Sequence, residues 1–478
     1  MIRNRGCNII VSQSSLLRWV ILLIFVVGYA LTFDRFGMLQ GRYALYSILS
    51  LLACALLLSK LKKFDAEYIA IWLTFVVLVA TQYVRFYWLV LDPSFLKNML
   101  TPMGWNALTD VNAQIAGFEL LTISFCVICI SIFLYIHFWK DALSRADVQD
   151  ASDEFYRSVA YILLTLSIVL LVFLGYFALK YHIGQMGYVA SEPLPYRLAG
   201  IIHYGRLVAL PGTMLLFIVV AHRAKRQDLV RVGLMLVLIH GAVDVLVRSS
   251  RGAILFALIS LVFLTAVKGF KLLRFEKITI VVIGIVGLFF IPLTHQYRVF
   301  HLSGLDVPAS LLALNDMHWN ISQIFVDAIN FAYFRLPGIE MPIAIIGDGG
   351  QPLGDKAFSV LATPNGLADY LTYAVLKFPE GSPQSFAPSF LGWFYLMGGV
   401  YAVIMGSVVI SVVVTVLWKK LAQLPLFTLP VAQTFFLLLL FAILTEGTLD
   451  TLRYQALVMI VSVIGLEMLY RISARLIK

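Results

Sequence analysis

The chain has 478 residues, 61% hydrophobic and 13% charged, with mean hydropathy +0.90 and a formal charge of +10 at pH 7. A soluble globular chain carries roughly 25% charged and 45–50% apolar residues, so the composition excludes an ordinary soluble enzyme and makes lipid the solvent for most of the chain. The positive-inside bias of membrane proteins accounts for the basic surplus, and no nucleic acid is expected as a partner.

A span needs about 20 mostly apolar residues. Such runs occur near 16–33, 43–60, 68–91, 115–138, 158–179, 206–222, 230–247, 252–268, 278–294, 389–417, 427–446 and 455–470. They predict an all-α, polytopic membrane bundle of about twelve helices. The first run is too long for the core of a signal peptide and reads as the first span. Basic clusters fall on alternate connections: Lys60-Leu61-Lys62-Lys63, Arg223-Ala224-Lys225-Arg226, Lys268 to Lys277, Lys419-Lys420, and Arg471 to Lys478. About 21 Lys and Arg then lie on the side of Arg3 and Arg5 and about 14 on the other. This orientation predicts both termini in the cytoplasm of a bacterial inner membrane.

The expected organisation is a membrane bundle over 1–294 with a periplasmic loop at 180–205, a large periplasmic loop over 295–388, and three final spans over 389–478. The large loop is too long for a simple connection, which marks it as functional. From Ser310 to Phe334, Leu311, Leu314, Phe325, Ala328 and Phe331 recur at helical spacing, predicting a helix at the membrane surface. Asp348-Gly349-Gly350-Gln351-Pro352-Leu353-Gly354 is turn-rich but lacks the Lys-Ser/Thr of a phosphate-binding loop. Cys126 and Cys129 have CxxC spacing inside an apolar run and read as helix packing.

Ionisable residues in or near spans are expensive, and each needs a reason. His240, Asp244, Arg248 and Arg251 are spaced four, four and three apart, so they share one helical face near the outer end of a span. Two guanidiniums there suit an anionic headgroup, because Arg offers phosphate paired donors. The alternative is an Asp244–Arg248 ion pair that only packs helices. Glu446, Asp450 and Arg453 repeat the spacing at the penultimate span. Arg197, His203 and Arg206 come from the loop after Tyr181, and Arg298, His301, Asp316 and Arg335 from the large loop. Arg85 and Glu119 lie at outer span ends, where they could neutralise each other or act as interfacial anchors. There is no HExxH, outer CxxC or acidic DxD motif, so no metal is expected.

Ala387-Pro388-Ser389-Phe390-Leu391-Gly392, followed by Tyr395 and Gly398-Gly399, resembles the P-S-x-x-G-x-x-Y-x-x-x-G segment that opens a late span in bacterial O-antigen polymerases of the Wzy type. Arg248-Ser249-Ser250-Arg251-Gly252 resembles the S-R-G segment of an earlier span, and the expected topology is similar along the whole chain. Trp393 stands where many members carry Glu. The resemblance implies a metal-independent glycosyltransferase that joins undecaprenyl-diphosphate-linked oligosaccharide repeats at the periplasmic face. It also implies a polysaccharide chain-length co-polymerase of the Wzz type as partner, and no cofactor. The diphosphate clamp would be Arg248, Arg251 and Arg298 with Arg197, Arg206 or Arg335, supported by His240 and Asp244. His301 would be the base, with Asp316 and Glu446 as rivals. An O-antigen ligase shares this layout. A lipid-linked oligosaccharide flippase or transporter fits the span count, but no internal repeat supports it.

Overall fold

The computed structural model describes residues 13–61, 67–96, 102–138, 152–183, 198–248, 252–267, 273–282, 338–347, 352–363, 366–379, 387–445 and 449–476, with single positions between 292 and 328. Every described element is helical. Helices occupy each expected span except 278–294, of which only part lies among the described residues. Seven stretches are long and apolar enough to cross a membrane: Leu16–Lys60, Ile69–Leu91, Val111–Phe138, Asp153–Lys180, Leu198–Arg223, Ser389–Ala422 and Leu452–Ile472. The chain is therefore an all-α, multi-pass membrane protein. Side chains facing outward, such as Leu23, Leu52, Val172, Tyr401 and Ile460, are large and apolar, as a lipid-facing surface requires.

The helices gather into two compact units, each assembled from separated stretches of chain. The first comprises Met1–Ala142, Pro337–Leu417 and Ile443–Asp450. It begins with α1 (Gln13–Thr32) and α2 (Gln40–Lys60), joined by a tight 3-10 turn over Phe33–Leu39. Gly37 takes φ 48° in that turn, a left-handed conformation that a side chain would strain. Then follow α3 (Ile69–Leu91), α4 (Pro102–Thr109) and α5 (Val111–Phe138). The short helix α10 (Glu340–Gly347) packs on α4 and α5, the short helices α11 (Ala357–Ala362) and α12 (Gly366–Asp369) follow it, and α13 (Ser389–Ala422) packs along α5 through its first part. Buried rings fill the centre, with Phe86 stacked on Phe118 and Tyr83 edge-on to Phe125. In lipid, apolar contact gives helices little reason to associate, so small residues and interhelical hydrogen bonds do much of it. Ser50 shares hydrogen bonds with Tyr83 at 2.8 Å and Thr122 at 3.1 Å, joining α2, α3 and α5. Ser124 and Ser407 join α5 to α13 at 2.7 Å. Cys54 and Cys129 are buried in this packing as free thiols.

Part of the stretch expected as the large loop is a buried helix. In α10, Ile343, Ala344 and Ile345 have no exposed surface. The apolar run Ile339–Ile346 has a helix's worth of surface to bury, and α4 and α5 cover it. In the Ser310–Phe334 stretch the described positions 312, 313, 322, 324, 326 and 328 are helical. Leu312 and Val326 are exposed there and Ala328 is buried.

The second unit comprises Leu143–Leu336, Trp418–Ala442 and Thr451–Lys478. It holds α6 (Asp153–Lys180), α7 (Leu198–Arg223), α8 (Gln227–Arg248) and α9 (Gly252–Ala266), with most of α14 (Leu429–Thr445) and α15 (Leu449–Leu476). Ser152 caps α6 by accepting from the Phe155 amide at 3.2 Å. Every residue from Leu210 to Ala221 in α7 is buried, so this helix is the unit's central member, in contact with α6, α8 and α9. Gly212 lets α14 and α15 close on it: a Cβ there would lie 2.9 Å from the Phe435 ring and 3.5 Å from Leu466. Glu467 accepts from the Thr428 amide and hydroxyl, both at 3.1 Å, and from Arg471 Nε at 3.0 Å, clasping the start of α14 to α15.

Candidate functional site

Pro211 has no amide hydrogen, so it cannot donate to the carbonyl of Leu207 and breaks the regular ladder of α7. The helix absorbs the fault as a π turn over Gly205–Ala209, and the Thr213 hydroxyl donates to the Ala209 carbonyl at 2.8 Å. The π turn carries Arg206. Its side chain is 1% exposed and meets Asp244 of α8 with Nε 2.8 Å from Oδ1. Arg206 lies eight residues from Leu198, which is about 12 Å along the helix, in its first half. A guanidinium at that depth stays charged, so the burial of Asp244 beside it is what makes the position tolerable.

His240, also buried, lies one turn before Asp244 on α8, and Arg248 one turn after it. Asp244 pairs with Arg206 of the neighbouring helix, a partner that the sequence did not offer. Arg206, expected as a loop clamp, lies within a helix in that pair. The side chain of Arg248, and Arg197, Arg251, Arg298, His301, Asp316, Arg335 and Glu446, lie outside the described residues. Arg453 is exposed and stacks over Tyr454 at 4.8 Å.

The first unit holds a second buried pair built the same way. A π turn over Val79–Val84 precedes Arg85, which is 2% exposed. Arg85 grips Glu340 with two parallel bonds, Nε donating to Oε2 at 3.1 Å and Nη2 to Oε1. The Gly338 amide donates to the same Oε1 at 3.0 Å. Glu119, which the sequence left either as a partner of Arg85 or as an interfacial anchor, binds Arg42 at a more exposed position. Sequence reasoning missed Glu340. The available signal was a lone acid in the apolar run Ile339–Ile346, matched to a lone arginine within a span. Gly338 is fixed by this contact, since a Cβ would sit 2.2 Å from the Thr81 carbonyl oxygen and 2.6 Å from Arg85 Cδ. Gly338→Ala is expected to cost about 3 kcal/mol in detergent-micelle unfolding, because backbone cannot yield as a side-chain tip does. Wild-type stability in that variant would contradict this packing.

The segment that carries the family resemblance has a structural account. Ser389 opens α13 at φ 59°, with no exposed surface. Its Oγ and the Trp393 Nε1 one turn later have no hydrogen-bond partner among the described residues. Gly392 admits α10, since a Cβ would lie 3.1 Å from Ile345 Cδ1. Gly398 and Gly399 kink the helix, and the Leu396 carbonyl accepts from the Leu353 amide at 2.6 Å. A serine in the left-handed region stores strain of about 1 kcal/mol or more. Ser389→Gly is therefore expected to raise unfolding stability by about 1 kcal/mol; a loss of stability would show that the hydroxyl holds the helix start.

Among the described residues, two buried arginines, each at a π turn and each matched by one carboxylate from another part of its unit, are the chemical features that set this chain apart from a plain apolar bundle. No family model, curated protein or solved structure matches the chain.

Proposed function

We propose that the protein is a polymerase of undecaprenyl-diphosphate-linked oligosaccharide repeats, an O-antigen polymerase, acting at the periplasmic face of a bacterial inner membrane with both termini in the cytoplasm. The observation that carries the reading is the buried pair of Arg206 with Asp244, which stands on α8 one turn before its last residue, Arg248. A fixed guanidinium is the group such chemistry needs where a diphosphate departs without a metal. The family resemblance of the Pro388-Ser389 and Ser250-Arg251-Gly252 segments supplies the substrate class.

In this reading the anomeric C–O bond to the lipid diphosphate breaks and a new glycosidic bond forms to a hydroxyl of the next repeat. The hydroxyl proton passes to a base and undecaprenyl diphosphate leaves. Arg248, Arg251 and Arg298, with Arg197, Arg206 and Arg335, would hold the diphosphate. Asp244 and His240 would position Arg206. His301 would take the proton, with Asp316 and Glu446 as rivals. A chain-length co-polymerase of the Wzz type would be the protein partner.

The test is the lipopolysaccharide ladder of a strain lacking this gene, before and after restoration. Collapse to core plus one repeat supports the reading, because export and ligation still run. Loss of the single-repeat band as well would overturn it: accumulated periplasmic polymer would then indicate a ligase, and cytoplasmic lipid-linked repeats a flippase. In the restored strain Arg298→Ala is expected to abolish polymer while the protein stays in the membrane.

A further inference from the structure

The first unit contains an opening that the polymer chemistry does not use. Between the start of α1 and the end of α2 lies a crevice of about 330 Å³, lined by Arg18, Trp19, Leu22, Ala55, Leu58 and Ser59. The two helices run antiparallel, so its composition is graded. Arg18 and Ser59 lie toward the basic end of the hairpin, and Leu22 and Ala55 stand one turn deeper on their respective helices. Trp19 is 69% exposed, as expected of an aromatic at the headgroup level. The surfaces around the mouth carry exposed Leu16, Val20, Leu23, Leu52 and Leu56. What meets this opening in a membrane is therefore lipid.

The charge selects which lipid. Arg18 is the charged residue among those that line the crevice, and Lys60 closes α2 directly after Ser59 of the lining. Lys60 lies with its Nζ 5.5 Å from the Phe133 ring of α5. Basic pockets between membrane helices hold anionic headgroups, and a volume above about 300 Å³ is of the size that retains a ligand. We propose that this crevice is a specific site for an anionic phospholipid, with its phosphate on Arg18 and an acyl chain against Leu22, Ala55 and Leu58. The proposal is independent of polymer formation. It concerns a lipid that stays bound to the first unit, not one that is consumed.

The experiment is native mass spectrometry of the full-length protein released from micelles. Phosphatidylglycerol and phosphatidylcholine with identical chains are titrated separately. Phosphatidylglycerol is expected to be retained about fivefold more strongly, the effect of one arginine at an anionic headgroup. Arg18→Gln should lower its retention to the phosphatidylcholine level, and Arg18→Lys should preserve the preference. Ala55→Phe, which fills the crevice, should weaken both lipids. Excess inorganic phosphate should not displace phosphatidylglycerol, because phosphate has no chain to hold the apolar wall. Equal retention of the two lipids by the wild-type protein overturns the proposal, as does an unchanged preference in Arg18→Gln. Displacement by phosphate also overturns it and points to a site for the free anion. Gel filtration of each variant keeps misfolding distinct from lost binding, and the wild-type comparison decides the matter if a variant fails to fold.

Discussion

Replacing Glu340 with alanine is expected to destabilise the protein by about 3–5 kcal/mol in denaturant unfolding from mixed micelles. Glu340 and Arg85 are 3% and 2% exposed and joined by two hydrogen bonds, so removing the carboxylate leaves a permanent cation in an apolar interior. The same change orphans the Gly338 amide, which donates to Glu340. Glu340→Gln should lie between, because it keeps an acceptor and loses the charge. Replacing both partners by apolar residues of similar volume, Arg85→Met with Glu340→Met, should recover most of the loss, since a buried pair is costly to assemble and far costlier to break. If the double replacement is no better than Glu340→Ala, the pair has a role beyond charge compensation. If Glu340→Ala is silent, α10 is not seated against α3 in this way.

Asp244→Asn is expected to cause a loss of similar size in the second unit, again about 3–5 kcal/mol, because Arg206 keeps its charge whatever the pH of the experiment. Here the double replacement separates structure from function. Arg206→Met with Asp244→Leu should restore folding. If the pair only packs helices, the restored protein also restores the lipopolysaccharide ladder. If Arg206 serves the diphosphate, folding returns and the ladder does not. Arg206→Lys adds a second discrimination, since an ammonium keeps the charge but loses the planar fork of donors. A clamp should lose polymer in that variant while the protein remains in the membrane at wild-type amounts. A full ladder from the double variant would remove Arg206 from the proposed chemistry.

These two pairs also mark how far the sequence could be read. Apolar runs of membrane length located the helices, because a backbone in hydrocarbon must satisfy its own hydrogen bonds and the helix does so within each segment. The helical spacing of His240, Asp244 and Arg248 was legible for the same reason: local geometry is set by the 3.6-residue repeat. Partner choice was not legible. Asp244 had a cation one turn away in sequence and found Arg206 across a helix contact; Arg85 had Glu119 as a candidate partner at the end of the next span and found Glu340, 255 residues away.

By itself the sequence determined that this is an all-α protein of the membrane and along which stretches its long helices run, since hydropathy and helical hydrogen bonding act within a segment. The tertiary structure alone decided that residues 339–346 are buried against α4 and α5, that Pro211 is accommodated by a π turn carrying Arg206, and which carboxylate answers each buried arginine. Those outcomes depend on which surfaces meet when helices pack, and in lipid that is settled by a few small residues, hydroxyl bridges and buried charges scattered along the chain.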